Sequence, residues 1–352
     1  MTEVSLADTL ARAIGESRPI SVAKYMAAAN AHYYATRDPF GVDGDFTTAP
    51  EISQMFGELV GLWLADMVLR SGNRKAHYVE LGPGRGTLAS DALRAMKQFG
   101  IEPEIHLIET SPVLRAKQAG QLPGARWHDR VATLPTNIPL LIIANEFFDA
   151  LPIHQIVRAS DGWRQRMVAY ESGQFALVDG PQVPLSIIPD LVQDSAEGSI
   201  IETCPEAVDI MRQLCQRIGE QGGALLVIDY GYEGPAVGDT LQAVTGHHFA
   251  SAFEDPGECD LTAHIDFTTL GAMGELCGVA VHGPVDQGLW LSRLGLMERA
   301  MALSLAHPER SAEIMAAARR LSVPDEMGRL FKVLAVHSGD WPVPSGFDEG
   351  QG

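Results

Sequence analysis

Two carboxylates, Glu146 and Asp149, stand three residues apart with two phenylalanines between them, directly after the apolar run 139–144. Two acids flanked by aromatic side chains can hold a guanidinium group through bidentate, charge-assisted hydrogen bonds. His154 follows and, like either carboxylate, could accept a proton released in a reaction. We therefore assign Glu146, Asp149 and His154 as candidate catalytic residues. The alternative is structural: the phenylalanines anchor in the core and Asp149 caps a helix.

A second chemical segment, 76–87, reads Ala-His-Tyr-Val-Glu-Leu-Gly-Pro-Gly-Arg-Gly-Thr. Its pattern predicts a buried strand, a glycine-rich loop and the start of a helix. Gly82, Gly84 and Gly86 allow sharp turns and close approach of a ligand, at which the first N–H groups of the helix would point. Glu80 would repel a pyrophosphate but attract the ammonium and sulfonium groups of S-adenosylmethionine. A glycine-rich turn of another α/β protein is the alternative.

Further acids follow the next two predicted strands. Glu109 ends the apolar segment 104–109, and its carboxylate could accept hydrogen bonds from both hydroxyls of a ribose. A surface acid at a strand end is the alternative for Glu109. Asp129 follows a weaker strand and could accept a hydrogen bond from an adenine amino group, or could be a solvated turn residue.

The loop 38–54 combines turn-forming residues with acids and phenylalanines, a composition found in binding loops. It ends in a capping box, Thr48-x-x-Glu51, which predicts the start of a strongly amphipathic helix. Because that helix leads directly into the glycine-loop strand, we predict that the loop is a lid over the cofactor. A plain connector is the alternative. Besides the residues above, the predicted cofactor contacts are Asp45, Phe46, Thr48, Gln54, Thr87 and Asn145.

Continuous apolar runs near residues 79, 107, 142, 226 and 333 alternate with helical patterns, which predicts a parallel sheet in an α/β fold. Between them, 155–200 contains short β-like runs separated by Asp-Gly and Ser-Gly turns, which favours an inserted substrate or dimerisation module. The predicted divisions are N-terminal helices and lid (1–70), first part of the main domain (71–154), β-meander (155–200), remainder of the main domain (201–340) with a helical insertion (297–322), and a loose tail (341–352).

The chain has 352 residues, with 26 basic and 45 acidic side chains and a net charge of −19. This charge argues against a nucleic-acid substrate and is compatible with a basic protein or peptide as partner. Four widely spaced cysteines and an N-terminus without an apolar or basic leader predict a reduced, cytoplasmic protein without membrane insertion. No metal site is predicted, because His264 and the acids of 254–266 do not have the spacing of a compact ligand set.

Several motifs, in order along residues 20 to 335, resemble the MidA family of S-adenosylmethionine-dependent methyltransferases. The Asn-Glu-Phe-Phe-Asp and Gly-Asp-Phe motifs are the most diagnostic, and the 155–200 region matches least. The matching stretches are Asp38-Pro-Phe-Gly, Gly44-Asp-Phe-Thr-Thr-Ala-Pro-Glu-Ile-Ser-Gln54, Phe56-Gly-Glu-Leu, Glu80-Leu-Gly-Pro-Gly-Arg-Gly-Thr-Leu88, Asn145-Glu-Phe-Phe-Asp-Ala-Leu-Pro152, Asp260-Leu-Thr-Ala-His-Ile-Asp-Phe267 and Met327-Gly-Arg-Leu-Phe-Lys332.

This resemblance implies a Rossmann-like, seven-stranded class I methyltransferase sheet, S-adenosylmethionine as cofactor and S-adenosylhomocysteine as its product. It also implies a protein substrate, because the family includes a mitochondrial complex I assembly factor that methylates an arginine. Two other functions stay open: a small-molecule methyltransferase, and a non-catalytic assembly factor that retains the cofactor site. Nothing in the residues identifies the methyl acceptor or decides whether the protein is a homodimer.

Overall fold

The computed structural model of the chain describes residues 5–36, 48–73, 75–245 and 248–347. The helices within these ranges are α1 (Leu6–Ser17), α2 (Val22–Thr36), α3 (Ala49–Ile52), α4 (Gln54–Ser71), α5 (Thr87–Lys97), α6 (Pro112–Gln121), α7 (Pro205–Gln221), α8 (Phe267–Leu276), α9 (Gln287–Arg293), α10 (Leu296–Ala306) and α11 (Ser311–Ser322).

The strands within the same ranges are β1 (Ile20–Ser21), β2 (His77–Leu81), β3 (Glu104–Ile108), β4 (Arg126–His128), β5 (Leu140–Asn145), β6 (His154–Ala159), β7 (Gly162–Glu171), β8 (Gln174–Gln182), β9 (Ile200–Thr203), β10 (Gly223–Tyr232), β11 (Gln242–Thr245), β12 (His248–Ala250), β13 (Asp260–Thr262), β14 (Ile265–Asp266), β15 (Ala280–Asp286) and β16 (Phe331–His337).

Seven strands form the central sheet in the order β4-β3-β2-β5-β10-β16-β15, which confirms the predicted seven-stranded α/β fold. β4, β3, β2, β5 and β10 are parallel, whereas β16 runs antiparallel to both of its neighbours. The short strand β14 adds to the end of β10. β3 and β4 lie on one side of β2, whereas β5 and β10 lie on its other side. The carboxyl ends of β2 and β5 therefore border the crevice in which such sheets bind ligands.

Helices cover both faces of the central sheet, because its inner strands are apolar on both sides. Every residue of β2 and β5 is buried, and successive side chains point to opposite faces. Tyr78 belongs to the hydrophobic core beneath α4, α5 and α9 to α11, whereas Val79 belongs to the core beneath α7 and α8. This packing places the ends of β2 and β5 in a rigid frame.

The helix predicted from Thr48 onward is interrupted after one turn. Ser53 is extended, with φ −161° and ψ 136°, and its hydroxyl accepts a hydrogen bond from Met55 N at 3.2 Å to cap α4. Glu51 does not complete the predicted capping box, because its Oε1 accepts a hydrogen bond from Thr87 Oγ1 at 2.6 Å. This contact ties the segment before α4 to the start of α5.

The inserted β-rich region shares a core with the N-terminal helices. β6 to β9 form one sheet with β1, which pairs antiparallel with β7. Leu10 of α1, Tyr25 of α2, Val168 of β7 and Leu261 of β13 lie in the same hydrophobic cluster. The N-terminal segment and the insertion, which are far apart in sequence, therefore pack around one hydrophobic core.

The segment 341–347 is packed rather than loose, contrary to the prediction from sequence. Trp341 and Phe347 are buried in the core that contains α4. Trp63 Nε1 also donates a hydrogen bond to Ser345 O at 3.1 Å. The two aromatic side chains are the physical reason for the difference. The rest of the tail lies outside the described residues.

Among the helices of the described residues, none is long and apolar enough to cross a bilayer.

Candidate functional site

The glycine-rich loop leaves the carboxyl end of β2 and turns the chain into α5. Gly82, Gly84 and Gly86 have φ of 59°, 53° and 85°, the left-handed region that other residues rarely adopt. A Cβ on Gly82 would lie 3.0 Å from Phe147 Cδ2, and one on Gly86 would lie 3.0 Å from Leu122 Cδ1. The glycines thus allow a tight loop that leaves the first N–H groups of α5 facing the crevice.

Gln118 of α6 joins this loop to Glu109. Its fully buried Nε2 donates hydrogen bonds to Gly84 O at 2.7 Å and to Glu109 Oε2 at 3.3 Å. Ser111 N donates to the other oxygen, Oε1, at 2.8 Å. Burial raises the pKa of Glu109 despite these donors. Gln118 was not predicted from the sequence, because a glutamine inside an amphipathic helix gives no local signal. The contact of Glu109 with a ribose stays a prediction.

A cleft of about 40 Å³ lies between the glycine loop, β5 and the segment entering α3. Ligand pockets usually have roughly 300–1,000 Å³, so this cleft by itself fits only one end of a nucleoside-sized ligand. Its outer wall is formed by residues 48–51, where Ala49 N donates a hydrogen bond to Glu146 Oε1 at 3.4 Å. The polar residues of its lining are Thr48, Glu51, Glu80, Arg85, Thr87, Asn145 and Glu146.

The floor of this cleft suits a cationic ligand. Glu80 is 3 % exposed, and its carboxylate accepts a hydrogen bond from the Tyr78 hydroxyl, 2.6 Å from Oε2. Burial raises the pKa of Glu80 to about 7. Asn145 Oδ1 is buried, and no donor among the described residues reaches it. Among the described residues, the Tyr78 hydroxyl is the donor found for the Glu80 carboxylate, and the amide oxygen of Asn145 has none. Both groups can therefore accept further hydrogen bonds from the ammonium end of S-adenosylmethionine.

Glu146 follows the last residue of β5 in a strained conformation. Its φ is 49°, a value that costs a non-glycine residue about 1–3 kcal/mol and is concentrated at functional sites. Its Oε1 accepts a hydrogen bond from Asn145 Nδ2 at 3.0 Å. Burial, and to a smaller extent the charge of the nearby Asp149, raise the pKa of Glu146 to about 8. Burial likewise raises the pKa of Asp149 to about 7. The structure thus brings the two predicted acids into one electrostatic cluster.

Asp229, at the carboxyl end of β10, holds the turn that carries these acids. Its Oδ2 accepts hydrogen bonds from the backbone N–H groups of Phe147, Phe148 and Asp149 at 3.1, 2.9 and 3.3 Å. Asp229 is fully buried, and this burial is the largest cause that raises its pKa strongly. The charges of Asp149 and Glu146 raise the pKa of Asp229 further. No helix starts at Asp149, so the alternative role as a helix cap is wrong. Phe148 is anchored in the core, whereas Phe147 covers Gly82.

Three other predicted site residues do not line this cleft. His154 begins β6, and its Nδ1 lies 3.0 Å from Gln165 Nε2 within the inserted sheet. Asp129 is exposed and pairs with Arg115 at 2.6 Å. Gln54 is exposed in the first turn of α4. The predicted contacts of Asp45 and Phe46 fall outside the described residues.

A second cavity, of about 500 Å³, opens between β9, α7, α8 and the end of β10. Its lining is mainly apolar and includes the side chains of Glu202, Tyr232 and His264. His264 stacks on Tyr230, with ring centroids 6.1 Å apart. Burial is the largest cause that raises the pKa of Tyr230, and the charges of Glu146, Asp149 and Asp229 raise it further. This tyrosine therefore lies beside the acid cluster.

The strand order, the glycine loop after β2 and the cation-compatible cleft define the class of protein: a Rossmann-like, S-adenosylmethionine-dependent methyltransferase. The comparison with protein families agrees. The model of a family of S-adenosyl-L-methionine-dependent methyltransferases matches residues 59–285, and the chain belongs to this family.

Individual relatives give the same result. The chain is 36% identical to the mitochondrial protein arginine methyltransferase NDUFAF7 of Danio rerio over 94% of its own length and 86% of the relative's. The identity to the Drosophila melanogaster homologue is also 36%, over 95% and 85% of the two chains. A methyltransferase-like protein of Burkholderia thailandensis, crystallised with S-adenosyl-homocysteine, superimposes with a TM-score of 0.87 and 26% identity over 98% and 95% of the chains. Cofactor and enzyme class are therefore as predicted.

The expected cytoplasmic location is corrected by the same comparison. The curated relatives from Danio rerio, Drosophila melanogaster and Homo sapiens are all named as mitochondrial proteins. The prediction of a cytoplasmic protein rested on the N-terminal composition, which does not determine the compartment of a protein whose named relatives are mitochondrial.

Gly84→Val is expected to weaken S-adenosylmethionine binding at least a hundredfold, equivalent to about 2.7 kcal/mol, because a branched side chain would enter the space beside the loop. Gly72→Val is the matched control: Gly72 also has positive φ, 74°, but no described atom lies within 4 Å of the position that a Cβ would take there. Calorimetry on both variants separates exclusion of the ligand from backbone strain. Equal loss of binding in both would contradict a cofactor-facing loop.

Cofactor binding at pH 7 is expected to release up to about half a proton, because a cation beside Glu80 stabilises its carboxylate and lowers a pKa of about 7. Without ligand, the raised pKa values of Glu80 and Glu146 stabilise the fold below about pH 4.5, and this contribution is lost as the pH rises through about 7 to 8. Calorimetry in buffers of different ionisation enthalpy measures the proton release. Glu80→Gln should abolish it, and unchanged release would refute the assignment.

Proposed function

We propose that this methyltransferase modifies an arginine of a protein substrate, with Glu146 and Asp149 holding the guanidinium group. The observation that carries the proposal is the cluster of Glu146, Asp149 and Asp229 at the carboxyl ends of β5 and β10. Burial and mutual repulsion raise the pKa of Glu146 and Asp229, so a cation between these groups would relieve an unfavourable arrangement. The names of the Danio rerio and Drosophila melanogaster relatives, protein arginine methyltransferases, support the same substrate class.

The carboxylates and Phe147 have different roles in the proposed methyl transfer. The cofactor supplies a methyl group on a sulfonium sulfur, so the reaction depends on in-line alignment of the acceptor nitrogen, methyl carbon and sulfur. Carboxylates on two guanidinium nitrogens concentrate positive charge there and leave the third nitrogen more nucleophilic. That nitrogen forms the new N–C bond as the C–S bond breaks, and its proton passes to a carboxylate. Phe147, packed over Gly82, helps to exclude water.

We assign the proton to a carboxylate of the cluster rather than to His154. The raised pKa of Glu146, about 8 without a bound cation, makes its carboxylate a stronger base than an ordinary glutamate. Once a bound guanidinium holds it ionised, this carboxylate can accept the proton. His154 faces Gln165 in the inserted sheet, and burial lowers the pKa of its imidazole. His154 is therefore the weaker candidate.

A small-molecule acceptor is the second candidate function. The observation that favours it is the largely apolar cavity of about 500 Å³, whose lining residue His264 stacks on Tyr230 beside the acid cluster. Cavities of this size hold drug-sized molecules. In the protein-arginine proposal, the same cavity would receive apolar side chains that flank the methylated arginine.

The resemblance to MidA proteins leads us to propose a subunit of respiratory complex I as the protein substrate. The net charge of −19 supports a basic segment around the target arginine. Homodimer formation through the inserted sheet remains a proposal that sedimentation of the purified protein can test.

The test is transfer of labelled methyl groups from S-adenosylmethionine into extract from a strain that lacks this protein. Labelled arginine in one protein, identified by mass spectrometry and absent with Glu146→Gln, would support the proposal. Label only in the low-molecular-weight fraction would identify a small-molecule enzyme. Cofactor binding without any transfer would indicate the non-catalytic assembly factor.

A further inference from the structure

Three histidines and a glutamate meet on one face of the central sheet, away from the glycine loop. His77 begins β2, His106 lies in β3 and His128 ends β4. The strand register pairs His77 with Glu104 and Val79 with His106, so these side chains share a face. One nitrogen of His77, one of His106 and one carboxylate oxygen of Glu104 all lie within 4.8 Å of one another.

Two nitrogens of this cluster are buried without a hydrogen-bond partner among the described residues: His77 Nδ1 and His106 Nε2. The residues are only 4 % and 1 % exposed. Buried polar atoms normally have a partner, because an unsatisfied group loses its hydration without compensation. Two such atoms beside one carboxylate therefore indicate a missing ligand.

The surrounding hydrogen bonds show which nitrogens carry hydrogen. His77 Nε2 lies 3.1 Å from Asn137 Oδ1, an acceptor, so Nε2 donates and Nδ1 keeps its lone pair. Thr133 Oγ1 donates to Arg130 O at 2.8 Å and accepts from His128 Nδ1 at 3.0 Å.

The series of hydrogen bonds that runs from Arg130 through Thr133 to His128 continues to His106. Because His128 Nδ1 carries hydrogen, its Nε2 accepts from His106 Nδ1 at 2.9 Å. The Nε2 atom of His106 is then a bare lone pair, like Nδ1 of His77. Both imidazoles are held in the neutral tautomer, with the outer N–H directed at an acceptor, which is the arrangement of metal-bound histidines.

We propose that His77, His106 and Glu104 bind a divalent zinc-type metal ion, with Asn137 and His128 orienting the two imidazoles. Two imidazole nitrogens and a carboxylate oxygen are a common zinc ligand set, and water would complete a tetrahedral site. Tetrahedral ligand atoms lie roughly 3.3 Å apart at zinc distances, so the side chains must close by about 1 Å or less per ligand.

The site has an entry path and a competitor for its carboxylate. The Glu104 side chain is 57% exposed, and Arg126 Nη1 lies 3.2 Å from its Oε2. A metal ion must draw Glu104 away from this cation. Because His77 begins the strand that ends at the glycine loop, the ion would strengthen the pairing of β2 with β3 and take no part in methyl transfer. No metal was predicted from the sequence, since these ligands come from two strands without a short spacing motif.

The test is titration of the chelator-treated, full-length protein with zinc, monitored by calorimetry, and with cobalt, monitored by visible absorption. We expect one ion per chain and a tetrahedral cobalt spectrum. Glu104→Gln should weaken zinc binding at least about tenfold without changing the thermal midpoint of the metal-free protein. Arg126→Gln should strengthen binding, because the competing cation is removed. Glu102→Gln, at an exposed neighbouring position, is the matched control and should change nothing.

Failure to bind zinc at about 0.1 mM would overturn the proposal. Unchanged affinity in Glu104→Gln would also overturn it and would point to another pair, such as His282 and His337, whose Nε2 atoms lie 3.0 Å apart. The thermal midpoint of metal-free Glu104→Gln distinguishes loss of a ligand from misfolding. It should equal that of the unchanged protein, because Glu104 is exposed and its replacement keeps the shape of the side chain.

Discussion

Glu146→Gln is expected to reduce methyl transfer to the protein substrate at least a hundredfold while changing cofactor affinity by less than about tenfold. The amide keeps the shape of the side chain but removes the charge that would hold the guanidinium. One well-placed charged contact to a transition state is worth about 3 kcal/mol, whereas a tenfold change in affinity corresponds to roughly 1.4 kcal/mol. Both quantities are measured on the same variant, by single-turnover transfer and by calorimetry.

Glu109→Gln is the complementary variant for this experiment. Glu109 lies behind the glycine loop and is held by Gln118 and Ser111. Its replacement should weaken cofactor binding yet leave transfer at saturating cofactor nearly unchanged. If Glu146→Gln instead loses cofactor binding and keeps its turnover, Glu146 is a cofactor ligand and the guanidinium clamp is wrong.

Asp229→Ala is expected to lower the free energy of unfolding by roughly 3–5 kcal/mol and to abolish methyl transfer. The substitution leaves the N–H groups of residues 147–149 without their carboxylate acceptor, and each unsatisfied buried donor costs about 1–3 kcal/mol. Because this turn carries both proposed clamp acids, loss of its anchor should also misplace them. Urea denaturation and the transfer assay measure the two effects.

Asp229→Asn separates the anchor from the charge. The asparagine keeps one oxygen that can accept hydrogen bonds from the turn. The free energy of unfolding of this variant should therefore fall by less than about 2 kcal/mol. Asp325→Ala, at an exposed position, is the control and should change stability by about 0.5 kcal/mol or less. A stability of Asp229→Ala equal to that of this control would contradict the anchoring role.

The two variants also test different parts of the site. In the proposed mechanism Glu146 acts through its own charge, so Glu146→Gln should fold normally and fail only in transfer. Asp229 acts through the backbone of the turn, so its effect on transfer should follow its effect on stability. A variant that transfers normally with the turn weakened would show that the clamp does not depend on Asp229.

Local features of the site could be predicted from the sequence, because each depends on a short stretch of chain. The alternation of apolar strands and amphipathic helices predicts the parallel sheet. In such a sheet the residues after β2, β3 and β5 meet at one edge. Glu80, the three glycines and Glu146 could therefore be assigned to one crevice before any contact was known.

Contacts between distant segments were decided only by the tertiary structure. Asp229 lies about 80 residues from the turn that it anchors, and Gln118 reaches the glycine loop from a different helix. Neither residue has a local pattern, because a buried hydrogen bond depends on the partner that packing brings to it. His154 shows the converse: it follows the acids closely in sequence, but strand pairing in the inserted sheet turns it toward Gln165.

The same reason explains the remaining differences. Sequence periodicity gives the buried face of an element but not the element that covers this face. The pairing of β1 with β7 and the burial of Trp341 in the core could therefore not be foreseen. The cluster of His77 and His106 likewise arises from strand register, which joins residues 29 positions apart. The sequence by itself determined the fold class and the cofactor, whereas the three-dimensional packing decided which side chains surround the candidate site.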